Sequence, residues 1–324
     1  MRWPVERLDR LATPLGLLAL GGAVAALPLL GNVFAETVMA LAGLFAIVAV
    51  GLNLLFGYAG KISFGHNAFM TMGAYASGIL TTGFGLAPVG AMLAGAVGTG
   101  LVALALGAPI LRLRGHYLAM ATLALGQVTI IVSTRWTEVT GGLTGIPGVP
   151  DFRVLGLVFD TKTKMYYLIW GVALGGFLLS FRVIDSRFGR ALRALGAHEP
   201  AAEALGVPVV RCRVQVFVLS AMYAAVAGSL YAHFLNYVNG TFFDLPVMVE
   251  LMAMLVVGGI GTRWGPIVGA VPLMWLSQSL GRYADYSLLI FGMLCGLALL
   301  FLPRGLCGEL SAWAAPRTQT PRDG

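Results

Sequence analysis

Gly60-Lys61 is the first place where chemistry suggests itself, because glycine followed by lysine can close a phosphate-binding loop. That motif needs another glycine five residues before Gly60 and a hydroxyl residue after the lysine. Leu55 and Ile62 stand there, so the motif fails. The four histidines, His66, His116, His198 and His233, show neither HExxH nor Cys/His ligand spacing. Cys212, Cys295 and Cys307 have no paired spacing, so neither a disulfide framework nor a metal cluster is indicated. No GxSxG occurs. These absences argue against an intrinsic enzyme. What remains is a cluster of polar residues between two apolar runs: Asn53, Tyr58, Lys61, Ser63, His66 and Asn67. They can line a substrate path together with freed backbone groups. Equally, Asn53, Ser63 and His66 can serve only to satisfy an unwound backbone and its helix ends.

The elements that must position them belong to a membrane. Of the 324 residues 58% are hydrophobic and 11% charged, and the mean hydropathy is +0.85. Soluble domains carry about 25% charged residues. An all-α, polytopic integral membrane protein with about 8–10 transmembrane or re-entrant helices is expected. A span needs about 20 apolar residues. Candidates cover 14–30, 37–56, 66–82, 88–111, 117–132, 165–181, 214–235, 246–260, 266–280 and 286–302. The third, fifth, eighth and ninth are short enough to be half-helices. The stretch 14–30 is longer than a signal-peptide core and follows a leader carrying Glu6 and Asp9, so it reads as an uncleaved first span.

The polar cluster lies in 51–75, where one apolar helix runs into Gly57, Tyr58, Ala59 and Gly60 and another leaves through Met70, Gly73 and Ala74. Broken backbone at membrane depth is tolerated only against protein or a water-filled cavity. Interrupted hydrophobic segments of this kind point to transport sites. The stretch 248–272 repeats the pattern: Gly258, Gly259 and Gly261, then Arg263 and Trp264, then Gly265, Pro266 and Gly269. One broken element per half suggests an internal parallel duplication. Glu36 and Glu250 fall near outer helix ends, where snorkelling to water is expected. No chain of buried carboxylates suggests a proton relay.

The net charge of +7 fits the positive-inside rule better than nucleic-acid binding. With the amino terminus inside, most of the 21 basic residues fall inside; Arg135, Arg153, Lys162, Lys164 and Arg282 stay outside. Both termini are therefore expected in the cytoplasm. The expected divisions are a cytoplasmic amino terminus (1–13), a permease domain (14–306) and a cytoplasmic tail (307–324). An external loop (134–164) is rich in Gly and Pro and reads as a folded cap that meets an outside partner. A basic cytoplasmic loop (182–213) holds two short helices, the second started by Pro200 and stopped by Gly206 and Pro208. It reads as a docking element.

With these residues in hand, the chain resembles permease subunits of branched-chain amino acid ABC transporters from about Leu41 onward. The likeness rests on Leu52-Asn53-Leu54-Leu55-Phe56-Gly57-Tyr58-Ala59-Gly60, Ser63-Phe64-Gly65-His66 and Gly73-Ala74-Tyr75. It continues in Leu113-Arg114-Gly115-His116-Tyr117, Thr140-Gly141-Gly142, Phe188-Gly189-Arg190-Ala191, Ala201-Ala202-Glu203-Ala204-Leu205-Gly206, Gly258-Gly259-Ile260-Gly261-Thr262 and Pro303-Arg304-Gly305. The resemblance implies a subunit of an ATP-driven importer in a bacterial inner membrane, without a cofactor or metal of its own. It implies a second homologous permease, two cytoplasmic ATPases that consume the ATP, an external (periplasmic) solute-binding protein and surrounding lipid, with no nucleic acid. Asn53, Tyr58, Lys61, Ser63, Phe64, His66, Asn67, Gly258 and Gly259 are then the candidate substrate path. Phe188, Gly189, Arg190, Pro200, Ala202, Glu203, Ala204 and Gly206 are the candidate ATPase-coupling residues. Lys61 and Asn67 depart from the family pattern, where position 61 is usually neutral and position 67 small and apolar. A urea or short-amide importer subunit is the alternative within the family; a passive channel or secondary carrier is the alternative outside it.

Overall fold

The computed structural model describes residues 16–17, 20–113, 115–154, 156–279, 289–290, 292–293, 296–297, 300 and 305–314. The expected segment 1–13, most of the expected last span at 286–302, and the tail beyond 314 lie outside the described residues.

A single helix, α1 (Val33–Asn53), forms the axis of the fold. It starts where Asn32 accepts the backbone N–H groups of Phe34 and Ala35 (3.1 and 3.2 Å), satisfying two donors that the first turn leaves open. Its sequence is apolar all round, the signature of a helix buried on every side, and nearly all of it is buried. It is joined by α2 (His66–Thr82), α3 (Pro88–Ile110), α4 (His116–Arg135) and α5 (Lys162–Asp185). The short α6 (Arg187–Ala197) and α7 (Glu199–Ala204) follow, then α8 (Val209–Leu235), α9 (Leu245–Gly258), α10 (Gly265–Ser279) and α11 (Gly305–Ala314). Six helical stretches among the described residues are long and apolar enough to cross a membrane. The expected fifth span is a full helix of 20 residues. The third and ninth, at 17 and 15 residues, reach only about 25 Å at 1.5 Å per residue, because each begins at a break rather than at a membrane surface.

Small residues set the packing. A side-chain carbon on Gly228 of α8 would overlap the Met70 carbonyl oxygen of α2, and one on Gly73 of α2 would overlap the Ala225 carbonyl of α8. The two backbones therefore touch, as small residues permit in membrane helices. On the other side of α1, Trp170 of α5 donates its indole N–H to the Met39 carbonyl at 3.0 Å. Helices α3 and α4 instead turn Leu93, Val97, Leu101, Met120, Val128 and Ile131 outward. Such an apolar exterior is what lipid or a partner helix requires.

The Gly/Pro-rich segment after α4 is folded. It carries β1 (Ile146–Pro147), β2 (Phe152–Val154) and β3 (Leu157–Phe159), with β2 and β3 forming a hairpin. β1 pairs antiparallel with β4 (Tyr237–Val238), beyond the end of α8. These strands are absent from the all-α expectation; they arise because prolines prevent a helix while extended backbone still finds partners. Side chains around the end of α8 fasten the segment: Asn236 donates to the Val149 carbonyl (2.9 Å), Tyr237 to Thr144 (2.6 Å) and Asn239 to Leu143 (2.9 Å).

Replacing Gly228 with valine forces α2 and α8 apart. Overpacking costs roughly 1–3 kcal/mol, occasionally more, so a lower denaturant midpoint in detergent is expected for Gly228→Val, while Gly98→Val, which meets no neighbouring atom within 4 Å, stays near wild type.

Candidate functional site

The two breaks foreseen from sequence meet each other at one end of the helix bundle. After Asn53, α1 widens into a π-helical turn (Leu54–Tyr58) and then loses helical form until His66. Turns of this kind recur at functional sites. Gly60, at φ +66°, reverses the chain in a conformation that favours glycine. In the second break Gly259 and Gly261 have φ of +118° and +73°. Thr262 ties that loop together, donating its hydroxyl to the Gly259 carbonyl (2.7 Å) and accepting from the Gly265 N–H (3.1 Å).

Asn53 bridges them. Its amide N–H donates to the Thr262 carbonyl at 2.8 Å, and its amide oxygen accepts the Gly261 N–H at 2.8 Å. A side chain on Gly57 would strike both the Gly261 nitrogen and the Asn53 amide oxygen. Unwound backbone of the second break thus finds its partners in a side chain from the first. Asn53, weighed above as either path or backbone support, has both its polar atoms committed to the second break. Gly258 packs against the Gly265 carbonyl, where no side chain fits.

The same end of the bundle holds the basic loop. Ser186 stops α5 and caps α6, its hydroxyl accepting the Gly189 N–H at 3.2 Å. A side chain on Gly189 would overlap the carbonyls of Val183 and Ile184. Arg190 and Arg193 donate to the Asp185 and Ile184 carbonyls, both at 3.2 Å. These are the last carbonyls of α5, which lack helical donors of their own. His198 caps α7 by accepting the Ala201 N–H on Nδ1 (3.2 Å), which requires that nitrogen to be unprotonated in this arrangement. Pro200 occupies the first turn, and Gly206 ends the segment at φ +82°. Ala202 is buried and Phe188 half-buried, while Arg190, Pro200, Glu203, Ala204, Leu205 and Gly206 face outward.

Loop and breaks are in direct contact. Gly196, at the end of α6, rests on the Tyr58 carbonyl, so that a side chain there would sit 2.5 Å from the oxygen, and Gly60 lies against the Gly196 backbone. Lys61 Nζ stands 3.3 Å from Glu199 Oε2, and Arg213 of α8 pairs with the same carboxylate. In the second break Arg263 pairs with Asp185 at 2.5 Å and lies over the Phe181 ring, 5.3 Å from its centre. Each break therefore sends one cation to a carboxylate at an edge of α6. Burial pushes the Glu199 carboxyl up, but the hydrogen bond from Lys61 and the charges of Arg213 and Lys61 more than offset this and hold it below its ordinary value.

The remaining candidates run inward along α2. The Ser63 hydroxyl accepts the Gly65 N–H at 3.5 Å, and the Phe64 N–H donates to the Thr122 hydroxyl at 3.0 Å. His66 Nε2 lies 2.5 Å from the Ser220 hydroxyl, and the Asn67 amide donates to the Phe243 carbonyl at 3.0 Å. Their other polar atoms, His66 Nδ1 and Asn67 Oδ1, are buried without a protein partner. Phe64 packs, half-buried, with Phe56 on Leu52, Met248, Met252 and Leu255. Tyr58 is buried at the foot of the first break. Glu199, Arg213, Asp185, Thr262 and Ser220 are absent from the candidate path and coupling residues, although Thr262 closes one of the family motifs. Glu199 had a local signal, a carboxylate directly before the helix-starting Pro200; Arg213 and Ser220 had none, because the α8 helix brings them in from far along the chain.

Six helices long and apolar enough to span a bilayer among the described residues, around two mutually supporting backbone breaks, define a multi-pass membrane protein. The profile described as "Branched-chain amino acid transport system / permease component" matches residues 34–303. The chain is 31% identical over 291 residues to the high-affinity branched-chain amino acid transport system permease protein LivM of Escherichia coli K12, covering 81% of this chain and 67% of that one. It is 26% identical over 318 residues to a probable branched-chain amino acid transport permease protein LivM of Methanocaldococcus jannaschii (82% and 91%). It is 25% identical over 284 residues to the permease protein LivH of Escherichia coli K12 (82% and 91%). No solved structure matches. The chain belongs to the family of branched-chain amino acid transport permease components. It is a transport subunit rather than an enzyme, and it is similar to both permease proteins, LivM and LivH, of the Escherichia coli system.

A carboxyl held low in the folded chain stabilises it at any pH above the ordinary value and loses that effect as pH falls through the lowered one. Hydrogen exchange over 196–206 is therefore expected to stay slow on acidification to about the ordinary Glu value of 4.5 and to accelerate only below it. In Lys61→Met the acceleration begins at higher pH; an unchanged profile in that variant counts against the ion pair.

Proposed function

We propose that this chain is a permease subunit of an ATP-binding-cassette importer for branched-chain or closely related amino acids, set in a bacterial inner membrane with both termini in the cytoplasm. The observation that carries the reading is the direct seat of the first break on the basic loop: Gly196 on the Tyr58 carbonyl, and Lys61 on Glu199. A driven permease needs such a joint, because work done on a cytoplasmic loop must reach the membrane interior. A passive pore needs none.

In this reading α7 is the element that an ATPase grips. It presents Glu203, Ala204 and Leu205 outward, the last 84% exposed, while Ala202 anchors it inward. Gly189 and Arg190 hold α6 on the end of α5 and Phe188 packs against the core, so α6 and α7 move together. Pro200 and Gly206 fix the ends of α7. A push on α7 passes through Glu199 to Lys61 and through Gly196 to Tyr58. Asn53 then carries it to Gly261 and Thr262, and the Thr262 hydroxyl to Gly259 beside Gly258, so both breaks shift as one. Ser63, Phe64, His66 and Asn67 line the moving inner part of the path. Charge placement supports the orientation: the cationic loop 182–213 faces the cytoplasm, as basic loops generally do. The folded segment 136–160 then faces outward, where a solute-binding protein delivers substrate. A second homologous permease completes the path, and two cytoplasmic ATPases supply ATP hydrolysis.

Co-expression of the full transporter tests this. Glu203→Lys reverses an exposed charge without touching the bundle, so the chain is expected to fold and to pair with its sister permease. ATPase recovery on affinity purification should drop about tenfold or more, as for loss of a charged contact at an interface, and uptake should fall with it. Unchanged ATPase recovery, or uptake by this chain without nucleotide, contradicts the reading.

A further inference from the structure

A cavity of 140 Å³ lies between α1, α2, α8, α9 and α10, well away from the basic loop. Its walls include Phe45, Met70, Tyr231 and Phe243, and its polar groups include Glu250 and Gln278. Glu250 stands one and a half turns into α9 and is 8% exposed; the Ser277 side chain hydrogen-bonds its carboxyl, while Oε1 has no hydrogen-bond partner. No lysine or arginine lines the cavity. The expectation that Glu250 snorkels to water is therefore not met: the helix directs it into protein.

A carboxylate kept from water without a cation is costly. The surroundings supply what a cation from outside would use. The rings of Tyr231 and Phe243 pack edge to face at 5.2 Å between centres, and aromatic faces attract ammonium groups within about 6 Å. The apolar remainder matches an aliphatic body, since a cavity of roughly 150 Å³ admits a six-carbon hydrocarbon. Met70 forms part of the wall, and His66 and Asn67 lie one turn before it on α2, on the same face.

We infer that this cavity is a binding site for a primary ammonium carried on a branched aliphatic chain, with Glu250 as the counter-charge and Tyr231 and Phe243 as the aromatic wall. Resting on the proposed amino-acid transport, it is a station that the substrate's ammonium end occupies between the folded segment 136–160 and the breaks. Its occupant is recognised by charge and by hydrocarbon shape.

The test uses the full chain in lipid nanodiscs and direct binding of 3-methylbutylamine, which is charged at neutral pH, compared with the isosteric uncharged 3-methyl-1-butanol. The wild-type chain should bind the amine at least about tenfold more tightly than the alcohol, the scale of a hydrogen bond to a charged group. Glu250→Gln should remove that preference, and Glu250→Asp should keep most of it. Equal binding of amine and alcohol by wild type overturns the site, and so does an unchanged amine preference in Glu250→Gln. The wild-type comparison stands even if the variants fail to fold. Because the assay uses neither nucleotide nor ATPase, loss of this site and loss of ATP coupling are read separately: transport with no amine preference sinks only the cavity, and amine preference without ATPase association sinks only the coupling.

Discussion

Lipid offers no hydrogen bonds, so every backbone group freed by a broken helix must find its partner within the protein, at a cost of several kcal/mol for each that does not. That constraint explains the centre of this molecule. Both apolar helices that stop short, α1 and α9, stop at the same end, and Asn53 of one serves the Gly261 N–H and the Thr262 carbonyl of the other. Thr262 and the close approach of Gly57 complete the arrangement. The breaks are thus one joint made from two distant segments. The glycines that flank them are required by backbone reversal and by backbone contact, not by phosphate.

From that joint the rest of the architecture follows outward. The backbone contact between α2 and α8 holds the helix that leaves the first break. The α5 end, with Asp185 and the Phe181 ring, receives Arg263 from the second break. The α6 end receives Tyr58 and Lys61 from the first. A loop that is basic in sequence is therefore held at its own few carboxylates by cations of the bundle, while its arginines Arg190 and Arg193 are turned back on the end of α5. Lys61 gains a physical role from this. Where the family resemblance leads one to expect a neutral residue, the lysine gives this chain an ionic link between break and loop. Asn67, the other departure, joins α2 to the Phe243 carbonyl.

Much of this was legible in the residues. Helix class, both glycine-rich breaks, the capped short helices of the basic loop and the folded nature of the Gly/Pro segment all come from local signals: apolar run length, punctuation by Gly and Pro, and charge. The partnering was not legible. Nothing near Asn53 says that its amide meets residues more than 200 positions away, and nothing near Glu199 says that Lys61 and Arg213 converge on it. Those facts depend on how helices stack, which small residues permit but do not specify. Glu250 shows the opposite failure. Its position near a helix end suggested contact with water, yet packing by Tyr231, Phe243 and Met274 encloses it.

In the proposed cycle the first break and the basic loop move as one rigid body. Spin labels at the exposed positions Ile62 and Arg187 measure it directly within the assembled transporter. The distance between them should hold its value in the nucleotide-free, ATP-bound and post-hydrolysis states, while the distance from Arg187 to a label at exposed Leu143 in the segment beyond α4 changes. A change between Ile62 and Arg187 on ATP binding would show the loop moving without the break, and would contradict the joint.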